Sequence, residues 1–112
     1  MSQNQLYRGS LATIILQLLQ QEGMMYGYEI TQKVKELTNG TLDIKEGALY
    51  PSLHKLEADG QLTVTAKKVD NRIRKYYELT PYGETETVNR LKELQDYLEM
   101  MQQFIDLKPQ MK

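Results

Sequence analysis

The chain has 112 residues, of which 40% are hydrophobic and 26% are charged, and its formal net charge is −1. These values predict one globular domain with a small core and exclude an extended disordered chain. The chain has no cysteine, which excludes disulfides and thiolate metal sites and suits a reducing cytoplasm, where we expect the protein to be. No apolar run approaches the roughly 18 residues of a membrane span, and we expect no signal peptide.

Two helices are predicted in the first third of the chain. The polar segment Met1–Gly9 is expected to be a loose arm. Apolar residues then recur at helical spacing up to a stop near Gly23, at Leu11, Ile14, Ile15, Leu18 and Leu19. A second helix opens at Met24–Glu29 and ends at Thr38–Gly40, because Asn and Gly readily adopt left-handed conformations. Its predicted buried side consists of Ile30, Val34 and Leu37.

A third helix with two unlike faces is predicted between Asp43 and Gly60. Its apolar stripe, with members at i, i+4 and i+7, consists of Leu49, Leu53 and Leu56. The opposite face is small and smooth, and it consists of Gly47, Pro51, His54 and Ala58. Asp43 and Glu46 have the spacing of a capping box, which predicts the start of the helix, and Gly60 predicts its end. Pro51 favours a start only about one turn earlier, since an interior proline costs about 3 kcal/mol.

Residues 61–80 are predicted to form a β-hairpin. Alternation from Leu62 to Ala66 predicts one strand, Asp70-Asn71 predicts the turn, and Ile73–Leu79 predicts the returning strand. This segment has five basic side chains against two acidic ones, whereas residues 81–112 have four basic against six acidic. The five are Lys67, Lys68, Arg72, Arg74 and Lys75. Their concentration favours phosphate contact, and the other interpretation is a charged strand edge that discourages aggregation.

A long final helix is predicted from Pro81 to about Phe104. Thr80 suits the capping position and Pro81 the first helical position. Apolar residues recur in alternating steps of three and four, which predicts a seam for pairing with one partner helix. The seam consists of Leu91, Leu94, Leu98, Met101 and Ile105. We therefore expect residues 1–80 to form the winged domain and residues 81–112 to form a dimerisation helix.

Three helices followed by a basic hairpin predict a mainly α fold, a winged helix-turn-helix domain. In helix-turn-helix proteins a recognition helix lies in the DNA major groove, and here that is the third helix, whose N-terminal N–H groups suit phosphate. DNA contacts are predicted for Lys45, Tyr50, Ser52, His54, Lys55, Lys67, Lys68, Arg72, Arg74 and Lys75. Tyr50 is intermediate in angle between the two faces of its helix, so it equally suits the edge of the core.

Three blocks of this sequence resemble the PadR-like transcriptional regulators. The blocks are Tyr26–Ile30 at the start of the second helix, Gly47–Gly60 in the third helix, and Arg72–Gly83 across the second wing strand and the start of the last helix. The resemblance covers almost the whole chain, and the short single C-terminal helix looks like the compact branch of the family. The chain departs from the family's pattern at the wing turn, where Asp70-Asn71 stand and members often have glycine.

The resemblance implies a homodimeric winged-helix repressor that binds a palindromic operator and releases it when a small molecule binds. Regulators of this family control detoxification genes, such as those for phenolic-acid decarboxylases or multidrug exporters. By analogy with the family's wing, Arg72 and Lys75 are the preferred phosphate contacts. A small hydrophobic or phenolic effector is expected beside the seam, and the residues proposed for it are Tyr97, Met100, Met101 and Phe104. Core or dimer packing is the other interpretation of such side chains.

Other classes of function find little support in the sequence. His54 is the only histidine, and without thiolates or a second histidine it indicates no metal site. With no Gly-rich phosphate loop either, we expect no enzyme activity, no cofactor and no membrane partner. The alternative to DNA binding is a winged-helix module that binds protein, which the net charge of −1 and the pI of about 5.8 favour. DNA binding is favoured if the cations of the hairpin lie on the same side of the domain as the outer face of the third helix. Dispersed cations would favour the protein-binding module.

Overall fold

The computed structural model describes residues 7–110 as helices followed by a hairpin and a long last helix, in the predicted order. Its elements are α1 (Leu11–Glu22), β1 (Met25–Tyr26), α2 (Gly27–Leu37), α3 (Glu46–Ala58), β2 (Leu62–Val69), β3 (Arg72–Leu79) and α4 (Pro81–Ile105). Most of the expected arm, Met1–Gly9, lies outside the described residues, and a 3-10 turn at Arg8–Ser10 precedes α1. None of the described helices is long and apolar enough to span a membrane.

Helices α1, α2 and α3 enclose one aliphatic core, to which the sheet adds Met25, Leu62 and Tyr77. The most deeply buried side chains of these three helices, each at most 2% exposed, are Ile15, Leu16, Leu19, Ile30, Val34, Leu49, Leu53 and Leu56. The predicted apolar stripe of α3 is therefore confirmed. In α1 the predicted residues Leu11, Ile15, Leu18 and Leu19 are buried, and Ile14 is half-buried against the core. The prediction for Leu37 is wrong, since this side chain is 63% exposed. It lies in the last turn of α2, at the rim of an open groove, where the chain turns away before another element covers it.

The sheet has three strands rather than the predicted two. Strands β2 and β3 form the expected hairpin, and Asp70 and Asn71 have φ values of 50° and 63°, the left-handed pair of a two-residue type I′ turn. Strand β1 adds to the free edge of β3, with Met25 opposite Tyr77 and Tyr26 opposite Tyr76. The prediction that Met24–Glu29 opens a helix is therefore wrong at its start, because backbone pairing with β3 delays α2 until Gly27.

The start of α3 also differs from the prediction. The capping residue is Lys45, which makes no side-chain capping bond to the described residues, so the predicted capping box of Asp43 and Glu46 is wrong. The Asp43 carboxylate instead accepts from Lys45 Nζ and lies 3.7 Å from Lys35 Nζ. The hydrogen bond from Lys45 lowers the pKa of Asp43. Pro51 lies inside the helix, little more than one turn from its start. Because proline has no N–H, the helix lacks the hydrogen bond from residue 51 to the Gly47 carbonyl.

Helix α4 begins as predicted and then leaves the domain. Thr80 Oγ1 accepts from the N–H of Gly83 at 3.0 Å and donates to the carbonyl of Gly60 at 2.6 Å, and Pro81 occupies the first helical position. Gly83 and Thr87 are buried against the domain. Every residue of α4 beyond Leu94 is exposed. The molecule is consequently elongated, with principal extents of 68, 28 and 21 Å.

Candidate nucleic-acid interface

The outer face of α3 is open to solvent, as the helical periodicity predicts. Gly47, Pro51, His54 and Ala58 are exposed, while Leu49, Leu53 and Leu56 on the other side are buried. A Cβ atom added to Gly47 would meet no described atom within 4 Å. This face therefore carries little side-chain bulk in its N-terminal half, which permits a close approach by another surface.

The predicted contact residues beside this face differ in their surroundings. Tyr50 is half-buried and packs against the core, with its ring centroid 6.4 Å from that of His54. Tyr50 therefore lies at the edge of the core, which is one of the two positions that its angle on the helix allows. Ser52 is half-buried as well. Lys55 Nζ lies 3.4 Å from the Asp59 carboxylate, and its side chain is 79% exposed. An exposed pair of this kind contributes about 0–1 kcal/mol, so a phosphate can replace it.

Two cations lie near the N-terminal end of α3, and the sequence predicted a site role for only one of them. Lys45 is paired with Asp43, and the hydrogen bond between them raises the pKa of the lysine. Arg8 lines the same cleft of about 270 Å³ as Lys45 and Gly47. Arg8 reaches this cleft because of the path that the chain takes before α1. Its place in a polar segment of the sequence did not indicate a contact with α3. The two cations lie where the helix also presents unpaired N–H groups.

The strand register divides the wing cations between the two faces of the hairpin. Successive side chains of a strand point to opposite faces, and the buried Tyr77 marks the face that turns to the core. Lys75 lies on that face of β3, and Lys68 lies on the same face of β2, opposite Ile73. The cations on the other face are Lys67, Arg72 and Arg74. The five basic residues therefore do not form one patch.

A cleft of about 350 Å³ joins the wing to the outer face of α3. Its lining consists of Tyr26, Gly27, Tyr50, His54, Ile73, Arg74, Lys75 and Tyr77. Tyr50 and His54 from α3 thus share one concavity with Arg74 and Lys75 from the wing. The other predicted contacts lie outside it, so the structure brings together four of the ten predicted DNA contacts.

On the hairpin face opposite Tyr77, two cations rest on aromatic rings. The ring centroids of Tyr26 and Tyr76 are 5.4 Å apart, with an interplanar angle of 72°. The guanidinium carbon of Arg74 lies 4.5 Å from the centroid of Tyr26, and Lys67 Nζ lies 5.2 Å from that of Tyr76. These distances are those of cation–π contacts. Tyr26 is a residue to which the sequence analysis assigned no site role, because the strand that places it escaped prediction.

Comparison with known proteins agrees with this architecture. The sequence model of the Transcriptional regulator PadR-like family matches residues 15–89, more than half of the chain. The chain belongs to the PadR-like family of transcriptional regulators. The predicted fold class, a winged helix with a long C-terminal helix, and the resemblance noted in the sequence are both confirmed.

Three relatives illustrate the range of similarity to this PadR-like chain. A protein of Lysinibacillus sphaericus, uncharacterized protein X, is 33% identical over 107 residues, which are 95% of this chain and 97% of the relative. Transcriptional regulator Rv3488 of Mycobacterium tuberculosis is 41% identical over 73 residues, 62% of this chain and 65% of the regulator. The solved structure of a transcriptional regulator from Clostridium thermocellum has a TM-score of 0.84 and 31% identity, and covers 91% of this chain and 99% of its own.

The PadR-like chain also exposes an apolar surface along α4. Beyond Leu94, the large hydrophobic side chains of this surface, each at least 37% exposed, are Tyr97, Leu98, Met100, Met101, Phe104 and Ile105. They include all the predicted effector residues and the outer part of the predicted seam. Leu91 and Leu94, the inner part, are half-buried and line an apolar groove of about 340 Å³ formed with α1 and α2. Tyr97 also lines a second cleft of about 340 Å³ with Ser10, Thr13 and Arg90.

Proposed function

We propose that the protein is a homodimeric, sequence-specific DNA-binding regulator, a repressor that a small hydrophobic or phenolic effector releases from a palindromic operator. The observation that carries this proposal is the cleft in which Tyr50 and His54 of α3 face Arg74 and Lys75 of the wing. A winged helix binds DNA through these two elements together. Membership of a family of transcriptional regulators supports the same function.

The geometry of α3 supports its use as the recognition helix. Gly47, Pro51 and Ala58 form a surface without long side chains, so the helix backbone can approach the floor of a major groove. His54 is exposed in the middle of this face and can donate to a base edge or a phosphate. Lys45 and Arg8 lie at the N-terminal end of the helix, where phosphate contacts would set its register on the duplex.

The exposed end of α4 supports a homodimer. In a single chain Leu98, Phe104 and Ile105 are 52%, 62% and 71% exposed, which is unfavourable for side chains of this size. A second copy related by a two-fold axis buries this face together with the groove at Leu91 and Leu94. The same symmetry places two copies of α3 on successive turns of DNA and explains why the operator should be palindromic.

An effector bound at this dimer surface can change operator binding by changing how the two protomers are arranged. Tyr97, Met100, Met101 and Phe104 offer adaptable and aromatic surface to a flat hydrophobic molecule. A ligand between the α4 helices changes the angle between the two protomers, and so the spacing of the two α3 helices. Because DNA half-sites have a set spacing, a ligand that favours another spacing weakens operator binding.

A second candidate function is a winged-helix module that binds a protein partner. The observation in its favour is the division of Lys67, Arg72 and Arg74 from Lys68 and Lys75 by the two faces of the hairpin. The net charge of −1 points the same way. Arg74 weakens this argument against DNA binding, since it lines the cleft together with Lys75 although the two residues lie on opposite faces of the hairpin.

A titration of the labelled promoter duplex of the protein's own gene, followed by fluorescence anisotropy at two salt concentrations, separates the two functions. A DNA-binding regulator binds this duplex more tightly than an unrelated duplex of equal length, and it loses affinity steeply as salt rises. A folded protein that binds neither duplex at low salt would exclude the regulator and leave the protein-binding module.

A further inference from the structure

The two-residue strand β1 and the first residue of α2 contact both elements of the proposed DNA interface. Tyr26 carries the guanidinium of Arg74 on its ring, with 4.5 Å between the guanidinium carbon and the ring centroid. Gly27, the next residue, lies against the hydroxyl end of the Tyr50 ring in α3. Both residues line the cleft between wing and recognition helix, yet neither is an exposed residue of the outer face or the wing.

The absence of a side chain at residue 27 determines where the Tyr50 ring lies. A Cβ atom at Gly27 would be 2.5 Å from Tyr50 Oη and 2.8 Å from Tyr50 Cζ. Both distances are shorter than a van der Waals contact. The atoms in conflict belong to the outer end of a side chain, so an added methyl group displaces the ring before it displaces a backbone. Glycine is required at residue 27 because a larger residue would need the space that the Tyr50 ring fills.

The position of Tyr26 is fixed by its strand pairing, by a ring contact and by a hydrogen bond of its backbone N–H. Its residue pairs with Tyr76 of β3, and the two rings meet edge to face at 5.4 Å. Its N–H donates to Glu29 Oε1 at 3.1 Å, which closes the first turn of α2 around it. The ring therefore has little freedom to move, and a guanidinium that stacks on it loses less conformational entropy on binding phosphate.

We propose that Tyr26 and Gly27 are positioning residues for DNA binding, which set the wing cation Arg74 and the recognition-helix side chain Tyr50 at the two sides of one cleft. This inference rests on the proposed DNA-binding function. Tyr26 acts by pre-organising Arg74, and Gly27 acts by admitting the Tyr50 ring. Neither needs to contact the nucleic acid.

Substitutions at Tyr26 test the first half of this inference. Tyr26→Phe keeps the ring face and should bind the promoter duplex as the parent does, whereas Tyr26→Leu should bind about two- to fivefold more weakly, the range of an exposed cation–π contact. In an Arg74→Gln background, Tyr26→Leu should have no further effect. Equal weakening in both backgrounds would mean that Tyr26 only supports the fold, and would overturn the proposal.

Substitutions at Gly27 test the second half. Gly27→Ala should weaken binding in the parent and change little in a Tyr50→Ala background, where the methyl group has room. Gln32→Ala, an exposed change on the same helix, is the control and should leave binding unchanged in both. If Gly27→Ala is equally harmful with and without the Tyr50 ring, the Gly27 assignment is wrong. Should Gly27→Ala fail to fold alone but fold with Tyr50→Ala, the spatial conflict is supported directly.

A measurement on the free protein distinguishes failure of this inference from failure of DNA binding. In the NMR spectrum, ring current from Tyr26 should shift the side-chain protons of Arg74 upfield, and Tyr26→Leu should remove the shift while Tyr26→Phe retains it. An absent shift overturns the positioning of Arg74 whatever the protein binds. A shift that is present in a protein without affinity for DNA would instead refute the proposed function.

Discussion

The backbone of Gly83 lies so close to the carbonyl group of Gln61 that a Cβ atom at residue 83 would come within 2.0 Å of the Gln61 oxygen. The same oxygen accepts a hydrogen bond from the N–H of Thr80 at 3.1 Å, and the N–H of Gln61 donates to the carbonyl of Leu56 at 2.9 Å. The end of α3 is thus joined to the start of α4 by these backbone groups, together with the hydrogen bond from Thr80 Oγ1 to the Gly60 carbonyl. This contact fixes the start of the exposed α4 helix against the end of α3.

Gly83→Ala should lower the free energy of unfolding by about 1–3 kcal/mol or more, because the added methyl group overlaps a backbone atom that has no rotamer to adopt. The matched control is Gly47→Ala, another glycine in a helix, where the methyl group would meet no described atom within 4 Å. It should raise stability by about 0.5–1 kcal/mol through helix propensity. Urea denaturation followed by circular dichroism measures both. Equal stabilities of the two variants would contradict the contact between Gly83 and Gln61.

Lys75→Gln should weaken binding to the promoter duplex and make it less dependent on salt. If Lys75 neutralises one phosphate from the cleft, its removal should reduce the slope of log K against log salt by about 0.9. Lys92→Gln is the control, because this lysine lies on α4 in an exposed pair with Asp96. Anisotropy titrations at several salt concentrations supply the slopes. A slope that stays unchanged would place Lys75 outside the interface.

Leu98→Asp combined with Ile105→Asp should convert the proposed dimer to monomers. Both side chains are more than half exposed in the single chain, so the charges should disturb the subunit fold little and the interface strongly. Gln103→Asp, which adds a charge at an exposed polar position of the same helix, should leave the dimer intact. Sedimentation velocity distinguishes the two states. A double variant that sediments as the parent does would show that the seam is wrongly placed.

The buried Tyr77 should make the protein sensitive to alkaline pH. Burial raises the pKa of Tyr77 above its ordinary value of 10.0. Because the folded-state pKa is the higher one, the stabilising contribution is present below about pH 10 and is lost as the pH rises, when the unfolded chain ionises first. Urea midpoints at about pH 8 and about pH 10.5 should therefore differ more for the parent than for Tyr77→Phe. Tyr28→Phe, at a 63% exposed ring, should resemble the parent.

Much of the architecture could be read from local patterns. The buried stripe of α3 followed from helical spacing, the hairpin turn at Asp70-Asn71 from residues that tolerate a positive φ, and the start of α4 from Thr80 and Pro81. These signals are local, because a helix period, a turn and a cap each involve residues within a few positions of one another. The division of the wing cations was also within reach, since adjacent strand residues such as Lys67 and Lys68 must point to opposite faces.

The remaining features depend on contacts between residues far apart in the chain. Strand β1 is only two residues long, and it exists because β3, about fifty residues later, offers a free backbone edge.

For the proposed interface, the amino-acid sequence was enough to predict α3 as the recognition helix and to locate the charged hairpin, because periodicity and composition determine which faces are apolar and where cations concentrate. Tertiary structure alone decided which of those cations meet the helix. It placed Arg74 on the ring of Tyr26 and the ring of Tyr50 over Gly27, and these separations depend on how the helices and the sheet pack. Side chains from three separate segments thereby line one cleft, an arrangement that no local pattern in the sequence encodes.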